Sequence, residues 1–194
     1  MLLRGFWGVS AVRAAQRALM DDIVKQALKK WPNVPHCYDW LALDARGDWY
    51  MRDERIQHAG PFPQVKGSRI QHEKLREFIE RNYLHDDAGC WFFQNGPQRV
   101  YVELEAAPWV WRLAATASSP AITSHTGLSA QFESAWLDEH GRLFLATELG
   151  LGIVHTLDIE LAADAVEAGS WSATDTHFSA LPARFGFVLR PAKP

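Results

Sequence analysis

Cysteine is scarce in this chain of 194 residues, in which Cys37 and Cys90 are the only two. Two cysteines are too few for a disulfide framework, so the sequence leaves open one bridge between them or two free thiols, the commoner case in the cytosol. Long apolar runs are also missing, since no stretch approaches the roughly 18 residues of a membrane helix. These absences predict a soluble, cytoplasmic protein with no membrane partner.

Four motifs that carry well-known chemistry are absent as well. The chain has no Gly-x-x-x-x-Gly-Lys-Ser/Thr loop, no Gly-x-Gly-x-x-Gly after a strand, no His-Glu-x-x-His and no Gly-x-Ser-x-Gly. The run at residues 149–152 has only two glycines and no helix after it, which predicts a turn. Nucleotide-dependent, zinc-protease and α/β-hydrolase activities are therefore excluded, and no cofactor is expected.

A concentrated basic patch is the third feature that the chain lacks. Residues 1–112 hold 16 Lys and Arg against 14 Asp and Glu, and residues 113–194 hold 4 against 9. The two net charges of +2 and −5 give the −3 of the whole chain. Neither part has the clustered cations that bind a phosphate backbone, so nucleic acid is not expected as a partner.

The chain does contain signals for its domain organisation. Residues 1–19 carry three Arg and no acid, and they form an N-terminal extension: either a targeting segment or an artefact of start-codon choice, with Met20 as the first residue. The small, polar residues 114–126 are the only linker-like stretch and lie where the charge balance changes. We predict an α+β unit over residues 20–114 and a β-rich unit over residues 115–194, in one domain or two.

Apolar periodicity predicts two amphipathic helices, over residues 21–31 and 70–84. Pro and Gly residues predict a loop over residues 56–69. A short helix is expected over residues 160–167, and a last strand over residues 185–189.

Three Asp-x-x-Gly sequences, which begin at Asp44, Asp86 and Asp138, predict hairpin turns between strands. Asp hydrogen-bonds back into a turn and Gly supplies a positive φ. Asn95-Gly96 is a further hairpin signal. The irregular spacing of the three sequences argues against a repeat protein. The predicted fold class is α+β: antiparallel hairpins and a meander form a sheet covered by two amphipathic helices, with a β-rich C-terminal part.

The strings WPNVPHCYDWLALDARGDWYMRDE, FIERNY and DDAGCWFFQNGPQRVYVELEAAPWV carry a family resemblance. Residues 31–110 as a whole are similar to an uncharacterised, mainly proteobacterial family filed as a domain of unknown function, and ARFGFVLRPA near the C-terminus also matches. The resemblance implies a bacterial cytosolic protein that begins at Met20. It supplies no catalytic residue and no cofactor.

Aromatic residues are abundant, with nine Trp in the chain. If one sheet face is open, aromatic rings with arginines at the rim form a groove for a small ligand, a peptide or a partner protein. The alternative is that these rings are core and that the second helix covers them. The candidate binding residues are Trp49, Trp91, Phe93, Tyr101, Trp109, Trp111, Arg52 and Arg99.

The candidate metal ligands are His36, Cys37, His85 and Cys90, because zinc is bound tetrahedrally by Cys and His. Their spacing argues against a zinc site, since adjacent strand residues point to opposite sides and a turn separates His85 from Cys90. Alternatively, one thiol is a nucleophile with a histidine as its base, although no helix N-terminus lies behind either thiol to lower its pKa. Two buried thiols are the remaining interpretation.

The sequence defines no activity. The leading hypothesis is a non-enzymatic binding or protein-interaction module that uses an aromatic sheet face, with an unknown small ligand or protein as its partner. The alternative is a small enzyme or metal-binding protein that uses the Cys and His residues.

Overall fold

The structure is a computed structural model and describes residues 20–193. The predicted N-terminal extension, residues 1–19, lies outside the described residues. The fold is mixed α+β, with 25% helix, 34% strand and two sheets. The described chain divides into two compact units. The first contains residues 20–43, 49–103 and 190–193, and the second contains Asp44–Asp48 and Leu104–Leu189.

The first unit contains a six-stranded sheet. Its strands are β1 (Cys37–Leu43), β2 (Trp49–Met51), β3 (Ser68–Arg69), β4 (Tyr83–His85), β5 (Trp91–Asn95) and β6 (Gln98–Leu104). Their order in the sheet is β3-β2-β1-β6-β5-β4. Residues paired across neighbouring strands share a face, so Leu84, Phe92 and Tyr101 form a row across β4, β5 and β6.

In the described part of this unit, three helices accompany the sheet: α1 (Asp22–Lys30), α2 (Glu54–Ala59) and α3 (Glu73–Arg81). α1 and α3 form where the apolar periodicity predicts helices. Val24 of α1 is buried in one cluster with Leu84, Phe92 and Tyr101. α3 ends three residues before the predicted boundary at residue 84, because Tyr83 pairs with Phe93 in the sheet.

Sequence reasoning missed α2, most of which lies in the loop predicted over residues 56–69. Asp53 is its N-cap, and its carboxylate accepts a hydrogen bond from the Ile56 N–H at 3.0 Å. An aspartate three residues before a donor is a usual start signal for a helix. The signal was present, but the two-residue alternation of the preceding strand obscured it.

The hairpin predicted at Asn95-Gly96 has its loop one residue further on. Asn95 pairs with Gln98, so Gly96 and Pro97 form the two-residue loop between β5 and β6. Gly96 has a φ of 56°, which glycine tolerates at the first position of such a loop. Pro97 lies in the loop because proline cannot donate a hydrogen bond to the ladder.

The second unit contains a seven-stranded sheet in which β10, β11 and β12 form the predicted meander. Its strands are β7 (Trp109–Ala114), β8 (Ala121–Ser124), β9 (Ser129–Ala130), β10 (Phe132–Leu137), β11 (Leu143–Thr147), β12 (Gly150–Val154) and β13 (Ala173–Asp175). Their order is β13-β10-β11-β12-β7-β8-β9. The β12–β7 and β10–β13 pairs are parallel, so this sheet is mixed.

The stretch read as a linker, residues 114–126, is part of an antiparallel hairpin. β7 and β8 pair in register from Trp111 with Ser124 to Ala114 with Ala121. The compact units divide between Glu103 and Leu104, whereas the sequence predicts a division at residue 115. Small polar residues resemble a linker in composition, but backbone pairing across the sheet does not depend on side-chain size.

The strand predicted over residues 185–189 does not form: Phe185 is the last residue of a helix, and residues 186–189 are irregular apart from a single β-bridge at Val188. The second unit has two α-helices, α4 (Ile159–Glu167) and α5 (Leu181–Phe185). Pro182 lies in the first turn of α5, where its missing N–H costs nothing. Gly186, with a φ of 66°, ends the helix.

The glycines of residues 149–152 make room for two tryptophans. The indole N–H of Trp109 donates to the Leu149 carbonyl at 2.8 Å, and that of Trp111 donates to the Leu145 carbonyl at 2.9 Å. A Cβ added to Gly152 would lie 2.3 Å from Nε1 of Trp111. Of the four residues predicted as a turn, only Leu149 lies in one. Gly152 lies inside β12, next to the Trp111 ring.

Candidate binding site around Tyr101

The turn that begins at Asp86 fixes one side of the candidate site. Oδ1 of Asp86 accepts hydrogen bonds from the backbone N–H groups of Ala88 and Cys90, both at 3.0 Å. Oδ2 of the same carboxylate accepts a hydrogen bond from the Tyr101 hydroxyl at 3.0 Å. The aspartate that shapes the β4–β5 hairpin therefore also holds a tyrosine of β6.

Aromatic contacts define the rest of the site. The Tyr38 ring stacks on the Tyr101 ring with 4.6 Å between centroids and 10° between planes, and the His36 ring lies edge-on to Tyr101 at 5.8 Å. Tyr38 is half-buried and His36 is exposed, so the stack reaches the surface. We call the group of His36, Tyr38, Asp86, Arg99 and Tyr101 the Tyr101 cluster.

Arg99 is the cation of the Tyr101 cluster. Its guanidinium lies over the buried Phe92 ring, 4.5 Å from the centroid, a distance at which a cation is attracted to a ring face. Phe92 and Tyr101 face each other across β5 and β6, so Arg99 lies beside the Tyr101 ring. No acidic side chain within residues 20–193 forms a salt bridge with Arg99.

The surroundings keep the Tyr101 phenol protonated. Burial raises the pKa of Tyr101 to about 12; Asp86 also raises it, and Arg99 lowers it. Burial and the charge of Arg99 lower the pKa of His36, against the opposing effect of Asp86. At neutral pH the cluster therefore presents a neutral phenol, a neutral imidazole, a guanidinium and a carboxylate.

Both cysteines are protonated thiols at neutral pH. They are free and half-buried. Burial and then Asp39 raise the pKa of Cys37, and burial and then Asp86 raise the pKa of Cys90. Because the thiolate is the nucleophile, these shifts oppose the nucleophilic role that the sequence left open.

The aromatic residues expected on an open sheet face lie in the interior. Each of the six rings is at most 6% exposed: Trp49, Trp91, Phe93, Tyr101, Trp109 and Trp111. Rings of this size gain most when buried against other rings, as Tyr83 shows by contacting both Trp49 and Trp91. The predicted groove is therefore not built from these six rings. The aromatic side chains of β1 that reach the surface are Tyr38, which is half-buried, and Trp40, which is exposed.

Arg52 is also buried. It therefore does not lie at the rim of an aromatic groove, as the sequence predicted. Its guanidinium forms an ion pair with Glu103, and it donates a second hydrogen bond to the Gly60 carbonyl at 2.7 Å. Burial raises the pKa of Glu103, while the charge of Arg52 opposes that shift. Glu103 lies 51 residues from Arg52 in sequence, so no local pattern could have revealed the pair.

The predicted metal ligands do not come together. Within residues 20–193, no group of three or more His, Cys, Asp and Glu side chains is arranged to hold a metal ion. Because side chains alternate along a strand, His36 shares the face of Tyr38 while Cys37 faces the other way. His85, next to Leu84, lies on the face opposite Tyr101, with its ring against Trp91 at 5.0 Å.

A fourth turn of the same kind was missed in the sequence. Asp44, Asp86 and Asp138 each accept two backbone N–H groups with Oδ1. Ser124 begins an equivalent turn, in which its Oγ accepts from the Leu128 N–H at 3.0 Å and Gly127 has a φ of 85°. A serine hydroxyl makes the same bond more weakly, and a search for Asp-x-x-Gly alone passes over it.

Over residues 20–192 the chain matches the DUF2944 family model, whose description reads "Protein of unknown function (DUF2946)". The chain belongs to this family. No protein with a curated description matches it. In the part of the chain that the structure describes, no helix is long and apolar enough to cross a membrane.

Two solved structures are similar to this chain. One is a DUF1285 family protein from Silicibacter pomeroyi DSS-3, with 14% identity, a TM-score of 0.48, and coverage of 79% of this chain and 82% of that one. The other is a DUF1285 family protein from Shewanella baltica OS155, with 15% identity, a TM-score of 0.45, and coverage of 64% and 91%. At TM-scores below 0.5, these likenesses support no conclusion about function.

Proposed function

We propose that this DUF2944 protein is a non-enzymatic binding module and that the Tyr101 cluster is its contact surface. The observation that carries the proposal is the Tyr38–Tyr101 stack, which reaches from the buried sheet face to the surface. Rings held in place by stacking lose little entropy when they bind a ligand. The proposed partner is a small aromatic ligand or an aromatic side chain of another protein.

The ionisation of the cluster favours binding over catalysis. A phenol with a pKa of about 12 and thiols with raised pKa values are weak bases and weak nucleophiles at neutral pH. A cytoplasmic location remains part of the proposal because both cysteines are free thiols, as is usual in a reducing compartment. Nucleic acid remains an unlikely class of partner on the charge argument alone.

The proposal is tested by titrating the ¹⁵N-labelled full chain with benzamide, an uncharged aromatic probe, and with cyclohexanecarboxamide as its non-aromatic counterpart. We expect benzamide to shift the backbone resonances of residues 36–38 and 99–101, and cyclohexanecarboxamide to shift them several-fold less. Tyr38→Leu should abolish this difference because it retains apolar area without a ring.

Tyr50→Leu is the matched control, since Tyr50 is half-buried in the same sheet but outside the Tyr101 cluster. It should leave the benzamide titration unchanged. Equal shifts with both probes, or benzamide shifts confined to other residues, would contradict the proposal.

A further inference from the structure

We infer that Arg99 makes the Tyr101 cluster specific for an anionic group, a carboxylate or a phosphate, carried on an aromatic ligand. The inference rests on the proposed binding function and specifies the ligand class. Its basis is the position of the guanidinium, stacked over Phe92 at 4.5 Å beside the Tyr38–Tyr101 stack.

Arg99 differs from most other arginines of the described chain. Arg52, Arg112 and Arg142 form ion pairs with Glu103, Asp158 and Asp138, respectively. Arg99 forms no such pair within residues 20–193. The Arg99 side chain also interacts with the Tyr101 hydroxyl, and its remaining N–H groups can donate hydrogen bonds to a carboxylate or phosphate.

Asp86 is the carboxylate of the Tyr101 cluster, so it could compete with an anionic ligand for Arg99. Both of its oxygens already accept hydrogen bonds from other groups. Oδ1 accepts two backbone N–H groups, and Oδ2 accepts the Tyr101 hydroxyl. These bonds hold the carboxylate in the hairpin turn and away from the bidentate geometry that would occupy Arg99. Its charge still weakens the attraction for an anion, so moderate affinity is expected.

The aromatic part of the ligand follows from the neighbouring rings. Tyr38 is stacked against Tyr101 and half-exposed, and His36 lies edge-on beside them. A flat ring that contacts Tyr38 or His36 would place a directly attached anionic group within reach of Arg99. An anion without a ring would gain only the charge contact, which solvent screens.

The test compares benzoate and phenyl phosphate with uncharged benzamide, titrated into the ¹⁵N-labelled full chain at pH 7 and low salt. We expect at least one anion to bind about tenfold more tightly than benzamide, a ratio typical of one charged hydrogen-bonding contact. The Arg99 Nε–H resonance should shift with the anion and not with benzamide. The tighter of the two anions identifies carboxylate or phosphate as the preferred group.

Arg99→Gln should remove the preference for the anion while benzamide still binds. Arg99→Lys keeps the charge without the planar guanidinium, so it should retain part of the preference for the anion. This variant replaces Arg99→Gln in the test if Arg99→Gln does not fold. Arg184→Gln is the matched control, because Arg184 is exposed and stacked over Trp136 at 4.2 Å in the second unit, and it should change nothing.

The possible failures are distinguishable. Equal affinity for benzoate, phenyl phosphate and benzamide would overturn the inference and leave the proposed function standing. An anion preference that survives Arg99→Gln would also overturn it. Absence of binding by all three probes at the Tyr101 cluster would overturn the proposed function and the inference together.

Discussion

At Gly152 the structure has no room for a side chain. A Cβ at this position would meet Nε1 of Trp111 at 2.3 Å and Cβ of Trp109 at 2.7 Å. Both tryptophans are buried and hydrogen-bonded through their indoles, so neither can move aside without losing that bond. The glycine is therefore required by packing, and not by backbone conformation.

We expect Gly152→Ala to lower the free energy of unfolding by about 2–4 kcal/mol, in the range of overpacked cores with a displaced hydrogen bond. Gly141→Ala is the matched control, since Gly141 has a φ of 72° but open space around a Cβ. It should cost only about 1 kcal/mol through backbone strain. Urea denaturation of both variants measures the difference, and an equal or smaller loss at Gly152 would contradict the packing argument.

Asp86 stabilises the β4–β5 turn and also raises the pKa of Tyr101. Asp86→Asn keeps an oxygen for the turn but removes the negative charge beside the phenol. Since Asp86 raises the pKa of Tyr101, the variant should lower that pKa below about 12, while burial keeps it above the ordinary value near 10.

An NMR titration of the tyrosine ring carbons measures this pKa directly. Asp87→Asn, at the neighbouring exposed position, should leave the Tyr101 pKa close to that of the unmodified protein. An unchanged pKa in Asp86→Asn would contradict the assigned contact between Asp86 and the hydroxyl.

At the scale of single elements, the hairpin turns are the features that the sequence predicts best. The Asp-x-x-Gly turns form at all three predicted places, because each aspartate supplies its own acceptor and each glycine its own conformation. The information is local, so a single sequence contains it. The strand predicted over residues 185–189 was wrong because Pro182 suits the first turn of a helix and Gly186, with its positive φ, ends α5 inside the predicted strand.

The turn at Asp138 gives the second sheet a dependence on pH. Burial raises the pKa of Asp138, but hydrogen bonds from the Arg142 backbone and guanidinium outweigh this effect and lower it below 3.8. A carboxyl group whose pKa is lower in the folded state stabilises that state above its unfolded pKa, and this contribution is lost as the pH falls through the folded value.

Asp138→Asn should therefore cost about 1 kcal/mol of unfolding free energy at pH 7, and this difference from the unmodified protein should shrink as the pH falls from about 4 toward 2. Urea denaturation at a series of pH values checks the sign. Asp164→Asn, on the exposed side of α4, serves as the control for charge alone. A difference that grows on acidification would contradict the assignment.

At the scale of the whole molecule, the second compact unit combines Leu104–Leu189 with the distant Asp44–Asp48. Within its sheet, β7 lies between β12 and β8. A fragment that begins at residue 115, where the sequence predicts a domain boundary, lacks this strand and both of its ladders.

We therefore expect residues 115–194 expressed alone to show no cooperative unfolding, while residues 104–194 retain every strand of the sheet and provide the comparison. Circular dichroism with thermal denaturation distinguishes the two fragments. Cooperative unfolding of residues 115–194 would instead support the boundary that the sequence predicts.

The sequence by itself determined the α+β class, the helices α1 and α3, the hairpin turns and the family. Each of these depends on spacing within about 15 residues or on a continuous string of matching residues. Periodicity and turn chemistry are local properties, so they can be read from the sequence without knowledge of long-range contacts.

Only the tertiary structure decided which aromatic residues are buried and which polar ones meet. Strand pairing placed Trp49 and Trp91 in the interior, and it brought Tyr38, Arg99 and Asp86 around Tyr101 from three separate segments. The physical reason is that a residue's face is fixed by the register of its strand with its neighbours, and register is a property of the assembled sheet.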